Sequence, residues 1–269
     1  MTTKRMQQAS LLVIGLTLIC IAVYQPRWFL RWLSKRTPDV LFYANVPARI
    51  VALTIDDGPH PVVTPAILAV LARYRIAATF FLIGERVRGN EAIVRQIVAA
   101  GHEIGNHLMT DAPSICLSAE QFEEQLLQTH RMLSQFAAVR WFRPGSGWYT
   151  RRLIQQLKQH GYTCVIGSVY PYDAHIPWVP FLVRWIELKI FPGAVIVLHD
   201  GTAERLKTVD VLHHVLPKLQ VQGYQFVTLS ALAQASGFAE TELPPKHGLH
   251  VKAPGYRQSH SFRCSSPYT

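Results

Sequence analysis

Charged residues are scarce in this chain of 269 residues, where Asp, Glu, Lys and Arg together make up 16%. Hydrophobic residues make up 49%, which excludes a largely disordered chain. Cysteine is also rare, with 4 residues and no CxxC pair, so we expect neither a zinc knuckle nor a scaffold held by disulfides. The count leaves one disulfide open. The length fits one large domain or two small ones.

Acidic residues are fewer than basic ones, 17 against 27, and the net charge of +10 would attract a phospholipid surface, a nucleic acid or an acidic glycan. The basic residues are spread along the chain instead of forming one run. No zinc-finger spacing or RNA-binding aromatic motif accompanies them, so we expect no nucleic acid as a partner. The sequence implies no protein partner either.

Charge is absent from residues 6–26, and residues 11–23 (LLVIGLTLICIAV) are almost wholly apolar. A spanning helix needs about 20 such residues, whereas a cleavable signal peptide needs a small-x-small site, which we do not find here. Residues 27–33 (RWFLRWL) carry the tryptophans and arginines that suit the headgroup level. We therefore predict that residues 1–36 form a single-pass membrane anchor and juxtamembrane segment, with a buried core helix as the alternative.

Residues 37–238 alternate short apolar runs with longer amphipathic stretches, the pattern of an α/β domain. Strands are predicted at residues 50–55, 78–83, 141–144, 163–167, 195–198 and 226–229. Helices are predicted at residues 64–74, 91–100, 118–136, 151–160, 178–189 and 209–220. Residues 239–269 are rich in Pro, His, Ser and Lys without apolar periodicity, which predicts a disordered tail.

Side chains able to bind a metal follow several predicted strands. Asp56 and Asp57 come at the end of one strand, and α/β proteins build their sites at such strand ends. His107 and Asp111 are four apart, so a helical turn would place both on one side, where they could share a divalent ion with Asp57. Three protein ligands and an open position are typical of a catalytic zinc site.

Each of these features has a simpler explanation when it is taken alone. Asp-Asp-Gly-Pro is most often a turn, His107 could be a hydrogen-bonded core histidine, and Asp111 could cap a turn. His199 and Asp200 could simply end a strand. The joint occurrence of all of them in one order decides between the two explanations.

In that order, the residues resemble the motifs of the NodB-type polysaccharide deacetylases, carbohydrate esterase family 4, over residues 48–237. Residues 54–59 (TIDDGP) resemble the first motif, T-F-D-D-G-P, which implies that Asp56 is the catalytic base and Asp57 a metal ligand. Residues 107–111 (HLMTD) resemble the second motif, H-[ST]-x-x-H, whose two histidines bind the metal.

The second motif departs from the family pattern at two positions. Leu108 replaces the hydroxyl residue, and Asp111 stands in the place of the second histidine. Carboxylates bind zinc and suit harder ions such as Mn²⁺, so a His-Asp-Asp site still forms. Two carboxylates neutralise more of the ion's charge than the one carboxylate of the family motif, which predicts a weaker Lewis acid. We expect Asp111→His to preserve or increase the affinity for zinc.

Three further segments continue the resemblance. Residues 143–145 (RPG) resemble R-P-P, whose arginine orients the base, which implies that role for Arg143. Residues 168–173 (SVYPYD) resemble D-x-x-D-W, which implies that Asp173 partners the catalytic histidine, while Tyr170 and Ala174 depart from the motif. Residues 197–200 (VLHD) resemble the fifth motif, which implies that His199 is the general acid and that Leu198 lies near the acetyl methyl group.

The resemblance implies a distorted (β/α) barrel that removes N-acetyl, less often O-acetyl, groups from a polysaccharide or glycan. It implies one divalent metal ion, zinc first, with manganese or cobalt as alternatives. Trp148 and Tyr149 are candidates to stack on a sugar ring, or else they pack in the barrel rim. A glycan-binding relative of the same fold without turnover is the alternative function, although binding alone would not require the whole acid–base set.

The resemblance also bears on the placement of the catalytic domain. Two basic residues, Lys4 and Arg5, precede the apolar segment and four follow it within residues 27–36, so the positive-inside rule favours a cytoplasmic domain. Proteins of this family usually act outside the cytoplasm, on wall or exported polysaccharide. We give that expectation more weight and predict an extracytoplasmic domain.

Overall fold

The structure is a computed structural model, and it describes residues 23–238 together with Ser10, Leu11, Val13, Gly15, Cys20 and Ile21. Its strands are Val40–Leu41 (β1), Ile50–Gly58 (β2), Thr79–Leu82 (β3), Glu103–Asn106 (β4), Trp141–Phe142 (β5), Thr163–Val165 (β6), Val195–His199 (β7) and Gln225–Val227 (β8). Its helices are Arg27–Arg36 (α1), Val63–Tyr74 (α2), Gly84–Val87 (α3), Glu91–Ala99 (α4), Ala119–Leu133 (α5), Arg151–Gln159 (α6), Val179–Lys189 (α7), Leu206–Val221 (α8) and Leu229–Ser236 (α9). Short 3-10 segments lie at Ser114–Cys116, Gly145–Gly147 and Ala203–Arg205.

The strands form one parallel sheet in the order β1-β6-β5-β4-β3-β2-β7, and β8 pairs with the first residues of β2. Isolated bridges between Val169 and Ile196 and between Tyr43 and Ala194 bring the β1–β6 edge against β7. These contacts curl the sheet into an incompletely hydrogen-bonded barrel. The predicted α/β fold with a parallel sheet is confirmed.

The two faces of the sheet serve different purposes. Side chains that face outward, such as Leu53 and Ile55 on β2, pack against the helices in the larger core cluster. Phe81 and Trp141 face inward and form a smaller cluster with residues of α9. Since the backbone N–H of Leu229 donates to Thr79 Oγ1 at the start of β3, α9 closes the amino-terminal end of the barrel. The opposite end, where the strands finish, is left for polar side chains.

Strands β1 and β4 were not predicted. β4 reads Glu-Ile-Gly-Asn, a composition of low β-propensity, yet it pairs with β3 and β5. Gly105 is required there because a Cβ atom would lie 2.6 Å from the ring of Phe81. Packing inside the barrel therefore selects a residue that the sequence pattern counts against a strand.

Helix α1, within the predicted juxtamembrane segment, lies against the barrel. Leu30 is buried in the larger core cluster, and the Arg27 guanidinium lies 4.6 Å from the centroid of the Phe191 ring. Trp28 and Trp32 are 59% and 49% exposed. Among the residues that the structure describes, no helix combines the length and apolar character needed to cross a membrane. Much of the predicted span, residues 11–23, lies outside the described residues, as does the predicted tail, residues 239–269.

Candidate active site

Asp56, the predicted base, is held by a buried ion pair inside the barrel. Arg143 follows β5, and its Nη1 donates hydrogen bonds to Asp56 Oδ1 at 2.5 Å and to Thr54 Oγ1 at 2.7 Å. The guanidinium carbon lies 4.3 Å from the centroid of the Phe81 ring. Both charged side chains are buried, so their mutual attraction is screened little by solvent. The arginine thus holds the Asp56 carboxylate in place.

His199, the predicted general acid, is paired with Asp173. The His199 Nδ1 lies 2.9 Å from Asp173 Oδ1, and the His199 backbone N–H donates to Asp173 Oδ2 at 2.8 Å. Burial opposes the charged imidazole, but the charge and hydrogen bond of Asp173 outweigh it and raise the pKa of His199 to about 10. His199 is therefore an imidazolium at neutral pH, the form that donates a proton.

The register of the sheet places the base beside the acid. Asp56 on β2 and His199 on β7 are Cα partners in the parallel ladder. Register partners on neighbouring strands point to the same face and lie about 4.8 Å apart. A buried carboxylate and an imidazolium that project into the same end of a barrel are the two kinds of group that general acid–base catalysis uses.

Asp57 joins the site although it directly follows Asp56. Neighbours on a regular strand point to opposite faces, but the register of β2 with β3 shifts between Asp56 and Gly58, and Asp57 has a left-handed φ of 73°. Such a bulge re-aims a side chain. The Oδ1 atom of Asp57 lies 3.3 Å from Nε2 of His107.

His107 presents one ring nitrogen to Asp57. Its Nδ1 lies 2.7 Å from the carbonyl oxygen of Arg143, which only accepts, so Nδ1 carries a hydrogen and donates it. Nε2 therefore faces a carboxylate, which also only accepts. The two atoms are compatible only when a proton or a cation lies between them.

The pKa shifts of this pair agree with that geometry. Burial opposes the charged form of His107, but the hydrogen bond with Asp57 and the charges of Asp56 and Asp57 raise the pKa of His107. Burial also works to raise the pKa of Asp57, but the hydrogen bond with His107 and the charge of His199 hold it well below its usual range. The imidazole and carboxylate donors fit a divalent metal ion, because a cation would take the place of the shared proton.

Asp111, the third predicted ligand, is not brought to the other two. Its carboxylate pairs with Arg86, whose Nη2 lies 3.1 Å from Asp111 Oδ2, and its side chain is 55% exposed. Within the described part of the chain, no group of three His, Cys, Asp or Glu side chains is arranged to hold a metal ion. Burial and the charge of Asp57 raise the pKa of Asp111, against the opposing charge of Arg86.

The predicted substrate-contacting residues differ in position. Leu198 packs in the cluster between sheet and helices, because it alternates with His199 and so faces away from the site. Val197, two residues before His199, shares the inward face instead. Tyr149 is half-buried, with its hydroxyl 3.2 Å from Thr37 Oγ1, so it packs in the rim. Trp148 is 62% exposed.

Two charged residues beside the site were given no role from the sequence, although Asp200 was noted at the end of its strand. Arg86 on α3 donates from Nη1 to the backbone oxygen of Asp57 at 2.6 Å. Asp200 is buried and accepts a hydrogen bond from Thr64 Oγ1, and burial raises its pKa to about 7. Asp200 lies in the fifth motif, which was a signal. No feature of the sequence indicated Arg86, because it is 25 residues away from its partner Asp111.

The chain resembles known proteins along most of the domain. A family described as polysaccharide deacetylase matches residues 43–165. A peptidoglycan-N-acetylglucosamine deacetylase of Bacillus cereus is 37% identical over 187 residues, which cover 68% of this chain and 88% of the relative. A crystal structure of a peptidoglycan N-acetylglucosamine deacetylase superposes with a TM-score of 0.70 at 30% identity, over 74% of this chain and 94% of the other. The crystal structure of a CE4 family pseudoenzyme from Bacillus anthracis superposes with a TM-score of 0.68 at 29% identity, over 73% of this chain and 69% of the other.

These similarities agree with the class of site that the geometry defines. The chain belongs to the polysaccharide deacetylase family. It is a hydrolase of the type that acts on carbon–nitrogen bonds other than peptide bonds, and its family generally uses a divalent metal ion.

Proposed function

We propose that this protein is a metal-dependent deacetylase that removes N-acetyl groups from a glycan. The proposal rests on the arrangement of the proposed base and acid. Asp56 is held by Arg143, and His199 is held by Asp173. Asp56 and His199 are themselves register partners on neighbouring strands. The name of the Bacillus cereus relative supports an N-acetylated amino sugar as the substrate. O-acetyl groups are a second, less favoured target.

In this proposal, Asp57, His107 and Asp111 hold one divalent ion, with zinc first and manganese or cobalt as alternatives. When bound, such an ion polarises the acetyl carbonyl and lowers the pKa of a coordinated water. Asp111 now pairs with Arg86 through Oδ2, and it would have to turn towards Asp57 and His107 to hold such an ion.

The remaining chemistry belongs to the buried pairs. Asp56 accepts the proton of the attacking water, while Arg143 holds its carboxylate in position. His199 donates its proton to the nitrogen of the glycan, which leaves as an amine when the carbon–nitrogen bond breaks and acetate is released. Asp173 orients the imidazole and keeps it protonated until that step. Trp148, exposed next to the Arg143 segment, is the better placed of the two aromatic candidates to stack on a sugar ring.

A glycan-binding protein without turnover is the second candidate function. Two observations favour it: a CE4 pseudoenzyme has a similar structure, and Asp111 does not join the other ligands. The intact acid–base pairs favour the enzyme, because binding a sugar does not require a buried imidazolium beside a carboxylate.

Acetate release from N-acetylglucosamine oligomers separates the two candidates. The full chain in detergent, supplied with zinc, manganese or cobalt, should release acetate, and Asp56→Asn should abolish the release without changing oligomer binding. Oligomer binding without acetate release under any of the three metals would favour the silent binding protein. The metal content after dialysis, compared with that of Asp57→Asn, tests whether the ion is held at this site.

We also propose that residues 1–36 anchor the catalytic domain to a membrane, with the domain on the extracytoplasmic side. The charge-free residues 6–26 support the anchor, and α1 adds exposed Trp28 and Trp32 among basic residues. External protease added to intact cells should digest the catalytic domain. Protection of the domain there, with digestion after lysis, would contradict the extracytoplasmic placement.

A further inference from the structure

Arg86 contacts two of the three residues that the proposed function assigns to the metal ion. Its Nη1 donates to the backbone oxygen of Asp57 at 2.6 Å, and its Nη2 lies 3.1 Å from Asp111 Oδ2. One guanidinium therefore bridges a ligand in place, Asp57, and a ligand out of place, Asp111. The planar fork of arginine places a separate nitrogen at each contact, whereas a lysine would have to make both contacts from one nitrogen.

This contact is built into the backbone and is not a chance pairing of two surface side chains. The backbone N–H groups of Gly84 and Glu85 donate to the carbonyl oxygens of Leu108 and Met109, at 2.9 and 3.0 Å. These bonds fix α3 against the segment that leads to Asp111. The Asn90 Nδ2 donates to the backbone oxygen of Arg86 at 2.9 Å.

Gly201 supplies the space through which Arg86 reaches Asp57. A Cβ atom at position 201 would lie 2.1 Å from Arg86 Nη1 and 2.8 Å from the backbone oxygen of Asp57. Any other residue there would push the guanidinium away. Gly201, which directly follows His199 and Asp200 of the fifth motif, thus leaves room for the Arg86 guanidinium.

The charges of the group explain what this arginine does. Asp57 and Asp111 each carry one negative charge, and a histidine that binds a metal is neutral. The three proposed ligands therefore have a net charge of minus two. Arg86 offsets one of these charges and occupies the carboxylate that the ion needs. A metal ion that binds Asp111 through Oδ2 therefore competes with the guanidinium for that oxygen atom.

We propose that Arg86 is a positioning residue that controls whether Asp111 is available to a divalent cation. This inference rests on the proposed metal site. The Arg86–Asp111 ion pair holds the third ligand aside, and the ion recruits Asp111 only by displacing the guanidinium. The chain then binds its metal more weakly than its donors would permit, and the arginine sets that affinity.

Manganese titration of the metal-stripped full chain, followed by the electron paramagnetic resonance signal of free Mn²⁺, tests the proposal. Arg86→Gln should tighten Mn²⁺ binding about tenfold, the scale on which partners of metal ligands act. Arg88→Gln removes the same charge from an exposed neighbour and should leave the affinity unchanged. Arg86→Lys should fall between the parent and Arg86→Gln.

Asp111→Asn provides the second arm of a double-mutant cycle. In that background Arg86→Gln should have little effect, because the carboxylate for which the two cations compete is gone. Equal tightening in both backgrounds would overturn the proposal, since Arg86 would then act only as a repulsive charge. Weaker or unchanged binding in Arg86→Gln would overturn it as well. If neither the parent nor any variant binds Mn²⁺ or zinc, the metal site of the proposed function fails too, which is a separate result.

Discussion

The acid–base side of the site and its metal side are held in different ways. On the acid–base side, Asp56 and Asp173 are buried, and each has its own charged partner at 2.5 and 2.9 Å. On the metal side, His107 is buried, but Asp111 is 55% exposed and bound to Arg86. The barrel thus fixes the proposed acid and base, and the loop of residues 107–117 carries Asp111, the proposed ligand that departs from the family motif.

The cost of burying charge accounts for this difference. Loss of one partner from a buried ion pair costs stability, because the other charge remains without compensation. A carboxylate that is 55% exposed, as in Asp111, pays a smaller penalty. The departures at Leu108 and Asp111 lie in the loop, and the third departure, Gly145, touches it: a Cβ there would lie 2.9 Å from the carbonyl oxygen of Ala112. These three departures lie on the metal side, whereas Tyr170 and Ala174, which depart from D-x-x-D-W, lie beside Asp173 on the acid–base side.

The largest effect is expected from breaking the acid–base side. His199→Gln removes the proton donor and should lower kcat by about 10²–10⁴-fold, while KM and Mn²⁺ affinity stay near their parent values. Acetate release under saturating substrate measures kcat. A variant that retained more than a tenth of the parent rate would assign the proton donor elsewhere.

Removing Arg143 should affect folding as well as catalysis. Arg143→Met leaves the Asp56 carboxylate buried without its partner and should lower the free energy of unfolding by about 3–5 kcal/mol, as measured by urea denaturation. The matched control is the double variant that also carries Asp56→Asn, which should recover part of that loss. If the double variant were no more stable than Arg143→Met alone, lost packing would be the cause instead of the unpaired charge.

Asp173→Asn should shift the titration of His199. In the parent, the pKa of His199 is about 10, above its ordinary value of 6.5, so the pair stabilises the fold fully below pH 6.5 and this contribution is lost as pH rises through about 10. The variant should titrate closer to 6.5 by histidine NMR, and kcat should fall about 10–100-fold. A His199 pKa still near 10 would show that Asp57 and Asp56 hold the proton instead.

The two carboxylates of the metal side should differ in their contribution to affinity. Asp57→Asn should weaken zinc binding more than Asp111→Asn, because Asp57 already faces His107 whereas Asp111 must first leave Arg86. Calorimetric titration of both variants makes the comparison. Equal losses would mean that Asp111 is as well placed as Asp57 in the bound state.

The smallest effect is expected at the rim. Trp148→Ala should raise KM about threefold without changing kcat, because one exposed aromatic contact contributes about 0.5–1.5 kcal/mol. Tyr149→Phe is the matched control, since it removes only the hydroxyl that contacts Thr37 and should leave KM unchanged. A parent-like KM in Trp148→Ala would leave this ring without a role in binding.

The sequence predicted the parts that depend on strand ends. Asp56 and His199 come at the ends of apolar runs, and parallel strands deliver such residues to one face, as the structure shows. Strand β4 was missed because Gly105 lowers β-propensity but is needed beside Phe81. The sequence motif placed Leu198 near the substrate. Side chains alternate between the two faces of a strand, however, so Leu198 faces outward and Val197 is the residue that shares the inward face with His199.

The Arg86–Asp111 pair could not be predicted from the sequence. Helix α4 and strand β4 lie between the two residues in the chain. An arginine and an aspartate are both common on protein surfaces, so their identity does not indicate that they contact each other. The bulge at Asp57 was equally hidden, since a left-handed aspartate on a strand has no local signature. Both features arise from tertiary contacts, and both determine how the ligands are presented.

The register of β2 and β7 has a consequence for how substrate preference can change. Five consecutive register pairs, ending at Asp56 and His199, set the spacing between these residues through interstrand hydrogen bonds, without help from any loop. Insertions or exchanges in the surrounding loops then alter which glycan enters while the spacing of the proton-transferring groups stays constant. A change of substrate on this scaffold can therefore leave the distance between Asp56 and His199 unchanged.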